Sequence, residues 1–196
     1  MQDKLDAILN AGVERGAAQG VVAIVVDRDG VRYEGSAGER AKDSGIEMTT
    51  DTVGAIFSMT KAITGAAAMQ LVEQGKIDLD APASDICPQI GAAEVLTGFD
   101  GDGQPVLRPP TSQVTLRNLL THTSGYVYDI WNADLLRWQE TTGTPSILTL
   151  EKASLTQPLL FDPGSRWEYG IGIDWAGQMV EAVSGMTLGE YFAENI

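Results

Sequence analysis

Two hydrophobic patterns follow one another in the first 40 residues. The apolar residues at helical spacing are Leu5, Ile8, Leu9 and Val13. They predict a helix over residues 3–16 that ends at Gly16. Two runs rich in β-branched residues come next, at residues 21–26 and 31–36, and residues 27–30 between them have the composition of a tight turn. We therefore predict a helix followed by an antiparallel β-hairpin.

The rest of the chain is mostly helical in pattern. A short apolar run at residues 53–57 predicts a strand, and residues 58–75 predict a helix that ends at Gly75. Apolar and small residues cover most of the circumference of this helix, so we expect a buried helix rather than a surface one. Residues 82–113 contain five prolines and predict irregular structure. Further helices are predicted at residues 116–121, 133–140, 149–156, 172–183 and 187–196.

These patterns indicate an α+β protein with two parts. Residues 1–57 would supply the first helix and the hairpin, and residues 58–196 would supply the central helix and a helical subdomain. A two-stranded hairpin is marginal in water by itself. We therefore expect the hairpin to belong to a larger sheet.

Charge and composition exclude several classes of function. The 196 residues carry 13 Lys and Arg against 27 Asp and Glu, a formal net charge of −14. Nucleic acid is not an expected partner, because phosphate binding needs clustered cations. No apolar run is long enough to cross a membrane, and no signal-peptide pattern precedes the first helix, so a cytoplasmic protein is expected. The single cysteine, Cys87, excludes an intramolecular disulfide.

The first candidate for chemistry is Ser58-Met59-Thr60-Lys61. Positions i and i+3 of a helix share one face, so Ser58 and Lys61 would lie one turn apart. An ammonium on an apolar helix is costly unless it is paired or deprotonated, and a lysine whose pKa is lowered by burial can accept the serine proton. The same spacing also fits a serine helix cap followed by a lysine that reaches solvent.

Two more segments carry candidate residues. His122, the only histidine, lies in Leu119-Leu120-Thr121-His122-Thr123-Ser124-Gly125, where a structural role is favoured over catalysis. Tyr169 follows the turn Asp162-Pro163-Gly164 and could act as an acid or base through its phenol. Asp100 and Asp102 lack the remaining positions of a calcium loop, so no metal is expected.

Taken together, these three segments resemble the serine β-lactamase and penicillin-binding-protein superfamily. Within it, the chain is similar to the class C β-lactamase-like esterases, known as family VIII carboxylesterases, and to related acyltransferases. The segments that carry the resemblance are Phe57-Ser58-Met59-Thr60-Lys61, Leu119-Leu120-Thr121-His122-Thr123-Ser124-Gly125, and Phe161-Asp162-Pro163-Gly164 with Trp167-Glu168-Tyr169. The resemblance implies an antiparallel sheet flanked by helices, with a helical subdomain, and no cofactor.

The resemblance also implies a role for each residue. Ser58 would be the acylated nucleophile, its backbone N–H would form half of an oxyanion hole, and Lys61 and Tyr169 would transfer protons. Tyr126, Tyr128 and Trp131 would line a pocket for the acyl or alcohol group of a small ester, and a simple surface or core aromatic group fits them equally well. Ile171 stands where the penicillin-recognising branch has an asparagine, which favours esters over β-lactams.

Two alternatives to the esterase or acyltransferase stay open. One is a β-lactamase or D-Ala-D-Ala peptidase, and the other is a non-catalytic binding module with a penicillin-binding fold. The family's domain is nearly twice as long as 196 residues, and its C-terminal strands supply the second oxyanion donor. We therefore expect a C-terminal fragment or a second chain to complete the fold, and residues 1–196 alone to be inactive or poorly folded.

Overall fold

The computed structural model describes residues 1–196. It contains seven α-helices and four β-strands. The chain forms two compact units, Met1–Ile56 and Phe57–Ile196, which are described in turn.

The first unit consists of one helix and one hairpin. Helix α1 covers Gln2–Glu14, strand β1 covers Gly20–Asp27, and strand β2 covers Gly30–Gly38. The strands pair antiparallel, which confirms the predicted hairpin. The Tyr33 hydroxyl on β2 donates a 2.8 Å hydrogen bond to the Asp6 carboxylate on α1, and so joins the helix to the hairpin.

The strand predicted at residues 53–57 is wrong. Residues 53–56 have no regular secondary structure, and Phe57–Met59 forms a 3₁₀ turn. A strand needs a neighbour for its backbone N–H and C=O groups, and the structure pairs no strand with this run. Val53 is 95% exposed, so its side chain gains nothing from an extended conformation.

The core of the second unit lies among four helices. They are α2 (Thr60–Glu73), α4 (Leu116–Leu120), α6 (Gly172–Ser184) and α7 (Leu188–Asn195). Their buried apolar residues include Ala67, Ala68, Leu71, Leu116, Leu119, Trp175, Ala176, Met179, Val180 and Tyr191. Helix α6 packs against both α2 and α4.

Helix α2 is not fully buried, contrary to the prediction. Only one face is buried, consisting of Thr64, Ala67, Ala68 and Leu71, while Met69 is 44% exposed. The small apolar residues on its other faces misled the pattern, because alanine is a good helix former wherever it lies. One packed face is enough to fix the end of α2 that carries Ser58 and Lys61.

A second hairpin interrupts the segment predicted to be irregular. After the short helix α3 (Pro88–Gly91), strand β3 (Val95–Phe99) pairs antiparallel with strand β4 (Pro105–Arg108). Pro105 is the first residue of its strand, a position that tolerates proline, and the register shifts between Leu96 and Gly98. Proline and glycine at these places disrupt the strand pattern in the sequence without preventing the pairing.

The remaining helix predictions are mixed. Helix α5 covers Ala133–Thr142, close to the predicted range. The helix predicted at residues 149–156 is wrong, because the chain forms two 3₁₀ turns, Ile147–Thr149 and Lys152–Thr156. Leu150 between them has φ of 61°, a left-handed conformation that an α-helix cannot contain.

Candidate active site

Ser58 lies at the entrance of α2, after a strained residue. Phe57 has φ of 44°, which is uncommon for a residue with a side chain. The 3₁₀ turn Phe57–Met59 then leads directly into α2 at Thr60. The Ser58 side chain is exposed at the end of the helix where free backbone N–H groups favour a developing negative charge.

Two functional groups meet at the Ser58 hydroxyl. Lys61 Nζ donates to Ser58 Oγ at 3.4 Å, and the Tyr169 hydroxyl donates to the same oxygen at 3.2 Å. Lys61 comes from the first turn of α2, while Tyr169 lies 111 residues after Ser58 in the chain. The structure therefore brings together the three residues for which the sequence predicted catalytic roles.

A braced turn delivers Tyr169 to this point. The two terminal nitrogens of Arg108 donate to the two carboxylate oxygens of Asp162 at 2.9 and 2.6 Å, and the Thr111 N–H also donates to Asp162. This places the Asp162-Pro163-Gly164 turn against strand β4. The Arg108 guanidinium also holds the pKa of the Asp162 carboxyl well below its usual range.

Gly170 allows the next part of the segment to lie against backbone. A Cβ at this position would come within 2.2 Å of the Tyr126 carbonyl oxygen and 2.5 Å of Val127 Cα. Only a residue without a side chain permits so close an approach. Tyr169 is thus held on one side by the braced turn and on the other by this backbone contact.

The electrostatics of the site bear on the charge state of Lys61. Burial lowers its pKa, but interactions with the Tyr128 and Tyr169 hydroxyls outweigh burial, so the net pKa of Lys61 is raised. Its ammonium lies 5.6 Å from the Tyr128 ring centre and 5.2 Å from that of Tyr169. The raised pKa favours the charged, paired form of Lys61 over the deprotonated form that the sequence analysis also allowed.

Tyr169 shows the opposite behaviour. Its hydrogen bond to Ser58 lowers the pKa of the phenol, and Lys61 lowers it further against the effect of burial. The nearby Tyr128 phenol has a raised pKa, mainly because it is buried. Of the two phenols beside Lys61, Tyr169 is therefore the one that gives up its proton more readily.

The predicted pocket residues divide into two groups. Tyr128 and Trp131 lie beside Tyr169, with ring centres 5.2 and 5.7 Å from its own, and Trp131 is 67% exposed. Tyr126 and Ile171 instead lie in the core, with 1% and 0% of their surface exposed. Their side chains are therefore not available to line an open pocket.

Sequence reasoning assigned no role to two residues near the site. Trp167 is 65% exposed, and its ring centre lies 6.2 Å from that of His122 with the two planes nearly perpendicular. Asp174 lies in the first turn of α6. Burial raises the pKa of its carboxyl and the Lys61 charge opposes this rise, while the Asp174 charge in turn opposes the lowering of the Tyr169 pKa. Asp174 lies only five residues after Tyr169, but nothing in the hydrophobic pattern distinguishes it from an ordinary carboxylate at the start of a helix.

No group of three or more His, Cys, Asp or Glu side chains could hold a metal ion. Asp100 instead closes the β3–β4 turn, where its carboxylate accepts from the N–H groups of Asp102 and Gln104. None of the helices has both the length and the apolar character that crossing a membrane requires.

Comparison with known proteins identifies the family. The beta-lactamase family model matches residues 5–196. The chain belongs to the beta-lactamase family. Its resemblance to the esterase and acyltransferase branch is confirmed by the relatives that it matches.

Two curated relatives and one solved structure show how close this similarity is. Lovastatin esterase from Penicillium rubens is 38% identical over 197 residues, covering 98% of this chain and 49% of the relative. Monacolin J acid methylbutanoyltransferase from Aspergillus terreus is 39% identical over 153 residues, covering 76% and 36%. The unliganded selenomethionyl structure of simvastatin synthase (LovD) from Aspergillus terreus superposes with a TM-score of 0.87 at 32% identity, covering 99% of this chain and 50% of that one.

Two conclusions follow from these matches. The β-lactamase/transpeptidase-like α+β fold is confirmed, and the chain is related to enzymes that are named as an esterase and as acyltransferases. The chain spans about half the length of the curated relatives it matches.

Proposed function

We propose that this chain carries the nucleophile of a serine carboxylesterase or acyltransferase that works through an acyl-enzyme at Ser58. The observation that supports this proposal is the meeting of two groups at one hydroxyl: Lys61 Nζ at 3.4 Å and the Tyr169 hydroxyl at 3.2 Å from Ser58 Oγ. A nucleophile, a base within hydrogen-bond reach and a cation beside the base are the parts that acyl transfer requires.

Tyr169 is the proposed base, with Lys61 as the cation that favours its phenolate. The phenolate takes the proton from Ser58 as Oγ attacks the ester carbonyl carbon. The tetrahedral intermediate then collapses, the bond to the leaving alcohol breaks, and Tyr169 returns the proton to that alcohol. Water or an acceptor alcohol attacks the acyl-enzyme by the same steps in reverse. The Ser58 backbone N–H is the proposed first donor to the oxyanion.

The proposed substrate class is an ester with an apolar acyl or alcohol group. Two exposed aromatic side chains lie near the nucleophile. Phe57 precedes Ser58 in the sequence and is 83% exposed, and Trp131 lies beside Tyr169 and is 67% exposed. Such surfaces favour apolar ligands by removing apolar area from water. The printed names of the relatives, a lovastatin esterase and a methylbutanoyltransferase, support the same class.

A partner segment, on the same chain or on a second one, is also proposed. The β1–β2 hairpin exposes Val22, Ile24, Val26 and Val31, between 40% and 61% each. Exposed apolar residues on a two-stranded sheet are typical of a surface that further structure covers. We propose that this segment contributes strands to the sheet and the second oxyanion donor.

The test is ester turnover by the full-length protein and by matched serine variants. We expect nitrophenyl butyrate to be hydrolysed by the wild type and by Ser44→Ala, whose serine lies in an exposed loop, but not by Ser58→Ala. Equal turnover by Ser58→Ala would refute the proposal. Hydrolysis of a cephalosporin as fast as the ester would favour the β-lactamase alternative. Absence of labelling of the wild type by a fluorophosphonate would favour a binding module.

A further inference from the structure

The backbone on both sides of Tyr169 is bonded to a single residue. The Glu168 N–H donates to the His122 carbonyl oxygen at 3.0 Å. The Gly170 N–H donates to Nδ1 of the same histidine at 3.4 Å. His122 thus accepts hydrogen bonds from the residue before and the residue after Tyr169.

His122 adopts an unusual conformation to make both bonds. Its φ is 57°, in the left-handed region that residues with a side chain rarely adopt. Such a conformation costs free energy and persists where the surroundings hold it, often at functional sites. Here it lets the carbonyl oxygen and the ring nitrogen of one residue reach the same short segment.

The ring adds a direct contact with the tyrosine. The ring centres of His122 and Tyr169 are 4.7 Å apart, with a tilt of 57° between their planes. Burial lowers the pKa of His122, and the positive charge of Lys61 lowers it further. A neutral imidazole has one ring nitrogen free to accept, so Nδ1 can hold the Gly170 N–H while Nε2 carries the proton.

We propose that His122 is a positioning residue for Tyr169, holding the phenol at Ser58 by clamping the backbone on either side of it. The proposal rests on the proposed function, because it concerns the residue assigned there as the base. In this proposal the two hydrogen bonds of His122 have different roles. The carbonyl bond fixes the chain before Tyr169, and the ring nitrogen fixes the chain after it.

Two substitutions at this position separate the clamp from general stability. Glycine and asparagine both tolerate the left-handed conformation, so neither adds backbone strain. His122→Asn places its side-chain oxygen on the same carbon that carries Nδ1, and so can still accept from Gly170. His122→Gly keeps the carbonyl bond but removes this acceptor and the ring. The pair therefore differs in the acceptor while sharing the loss of the imidazole.

The experiment measures kcat, KM and the pH profile for nitrophenyl butyrate with the full-length protein, normalised to sites titrated by a fluorophosphonate. We expect His122→Gly to lower kcat by about 10- to 100-fold, as small displacements of catalytic groups do. We expect His122→Asn to retain most of the wild-type kcat. Apart from His122 itself, the charged and titratable groups around Tyr169 are Lys61, Tyr128 and Asp174, and they are unchanged in both variants.

The pH profile tests the mechanism of the loss. Contact with Ser58 and Lys61 lowers the pKa of Tyr169, so a displaced phenol returns toward its ordinary, higher pKa. The acid limb of kcat should therefore move to higher pH in His122→Gly and stay in place in His122→Asn. A merely structural histidine would lower the melting temperature without moving this limb.

The outcomes are distinct. Wild-type kcat in His122→Gly, or equal losses in the two variants, would overturn the clamp. Tyr169→Phe, measured in parallel, tests the proposed function itself. If Tyr169→Phe keeps full activity, the assigned base is wrong. If Tyr169→Phe is inactive while His122→Gly is fully active, the proposed function survives and only the clamp fails.

Discussion

Replacing Gly170 by alanine is the sharpest test of how the fold positions Tyr169. The added Cβ would lie 2.2 Å from the Tyr126 carbonyl oxygen and 2.5 Å from Val127 Cα. Both neighbours are backbone, so neither can swing away as a long side chain would. Ordinary contact at about 3.4 Å requires the two segments to separate by roughly 1.2 Å.

The magnitude follows from this displacement. Forcing extra volume into a well-packed place costs about 1–3 kcal/mol of unfolding free energy. Tyr169 is the adjacent residue, and a shift of about 1 Å in a catalytic group can cost up to 100-fold in rate. We therefore expect Gly170→Ala to lose some stability and a larger share of its activity. Urea unfolding would report the first, and kcat for nitrophenyl butyrate per titrated site would report the second.

Gly189→Ala is the matched control. Gly189 lies in α7, is exposed, and a Cβ added there meets nothing within 4 Å. Since glycine weakens a helix, this variant should be as stable as the wild type or more stable by up to about 1 kcal/mol. Gly170→Ala with wild-type kcat and stability would refute the argument that this close approach positions Tyr169.

Three further predictions concern other parts of the second unit. The Arg108 guanidinium lowers the pKa of Asp162, so their contact stabilises the fold at pH values above the ordinary carboxyl pKa, and this stability is lost as the pH falls. In urea unfolding, the free energy of unfolding should therefore fall more between pH 7 and pH 3 in the wild type than in Asp162→Asn. Tyr128→Phe removes a hydroxyl that raises the pKa of Lys61, so the alkaline limb of kcat should move to lower pH; an unmoved limb would contradict this contact. Burial raises the pKa of the Cys87 thiol, so iodoacetamide should label it at least about tenfold more slowly in the native protein than in urea, as measured by mass spectrometry.

Local signals in the sequence predicted much of the helical structure. Helix α6 ends at Ser184, one residue beyond the predicted end, because Gly185 follows it with φ of 73°. Helix α4 begins at the predicted residue, Leu116, because Thr115 before it forms a capping box with Asn118. These predictions succeeded because each depends on residues close together in the sequence.

The failures have a different physical origin. The apolar run at residues 53–57 has strand composition, but no strand of the structure pairs with it, and pairing is decided by distant residues. The β3–β4 hairpin was missed because Gly98 and Pro105 resemble loop residues although they lie at a bulge and a strand start. The left-handed Leu150 that prevents a helix has no sequence signal at all.

In the candidate site, too, contacts between residues close in the sequence were predictable and contacts between distant residues were not. The spacing of Ser58 and Lys61 within one helical turn was enough to place them together. The approach of Tyr169 from 111 residues away came only from the family resemblance. The burial of Tyr126 and Ile171 could not be predicted, because an apolar residue near a site faces the core or the ligand according to a backbone path that the sequence does not state.

Trapping the acyl-enzyme is the most direct test of Ser58 as the nucleophile. The full-length protein would be mixed with nitrophenyl butyrate, quenched in acid during turnover, and analysed by intact mass and peptide mapping. We expect one added butyryl group, located on the peptide that contains Ser58 and absent in Ser58→Ala. Continued ester turnover with no adduct on the wild type, or an adduct on a different residue, would contradict it.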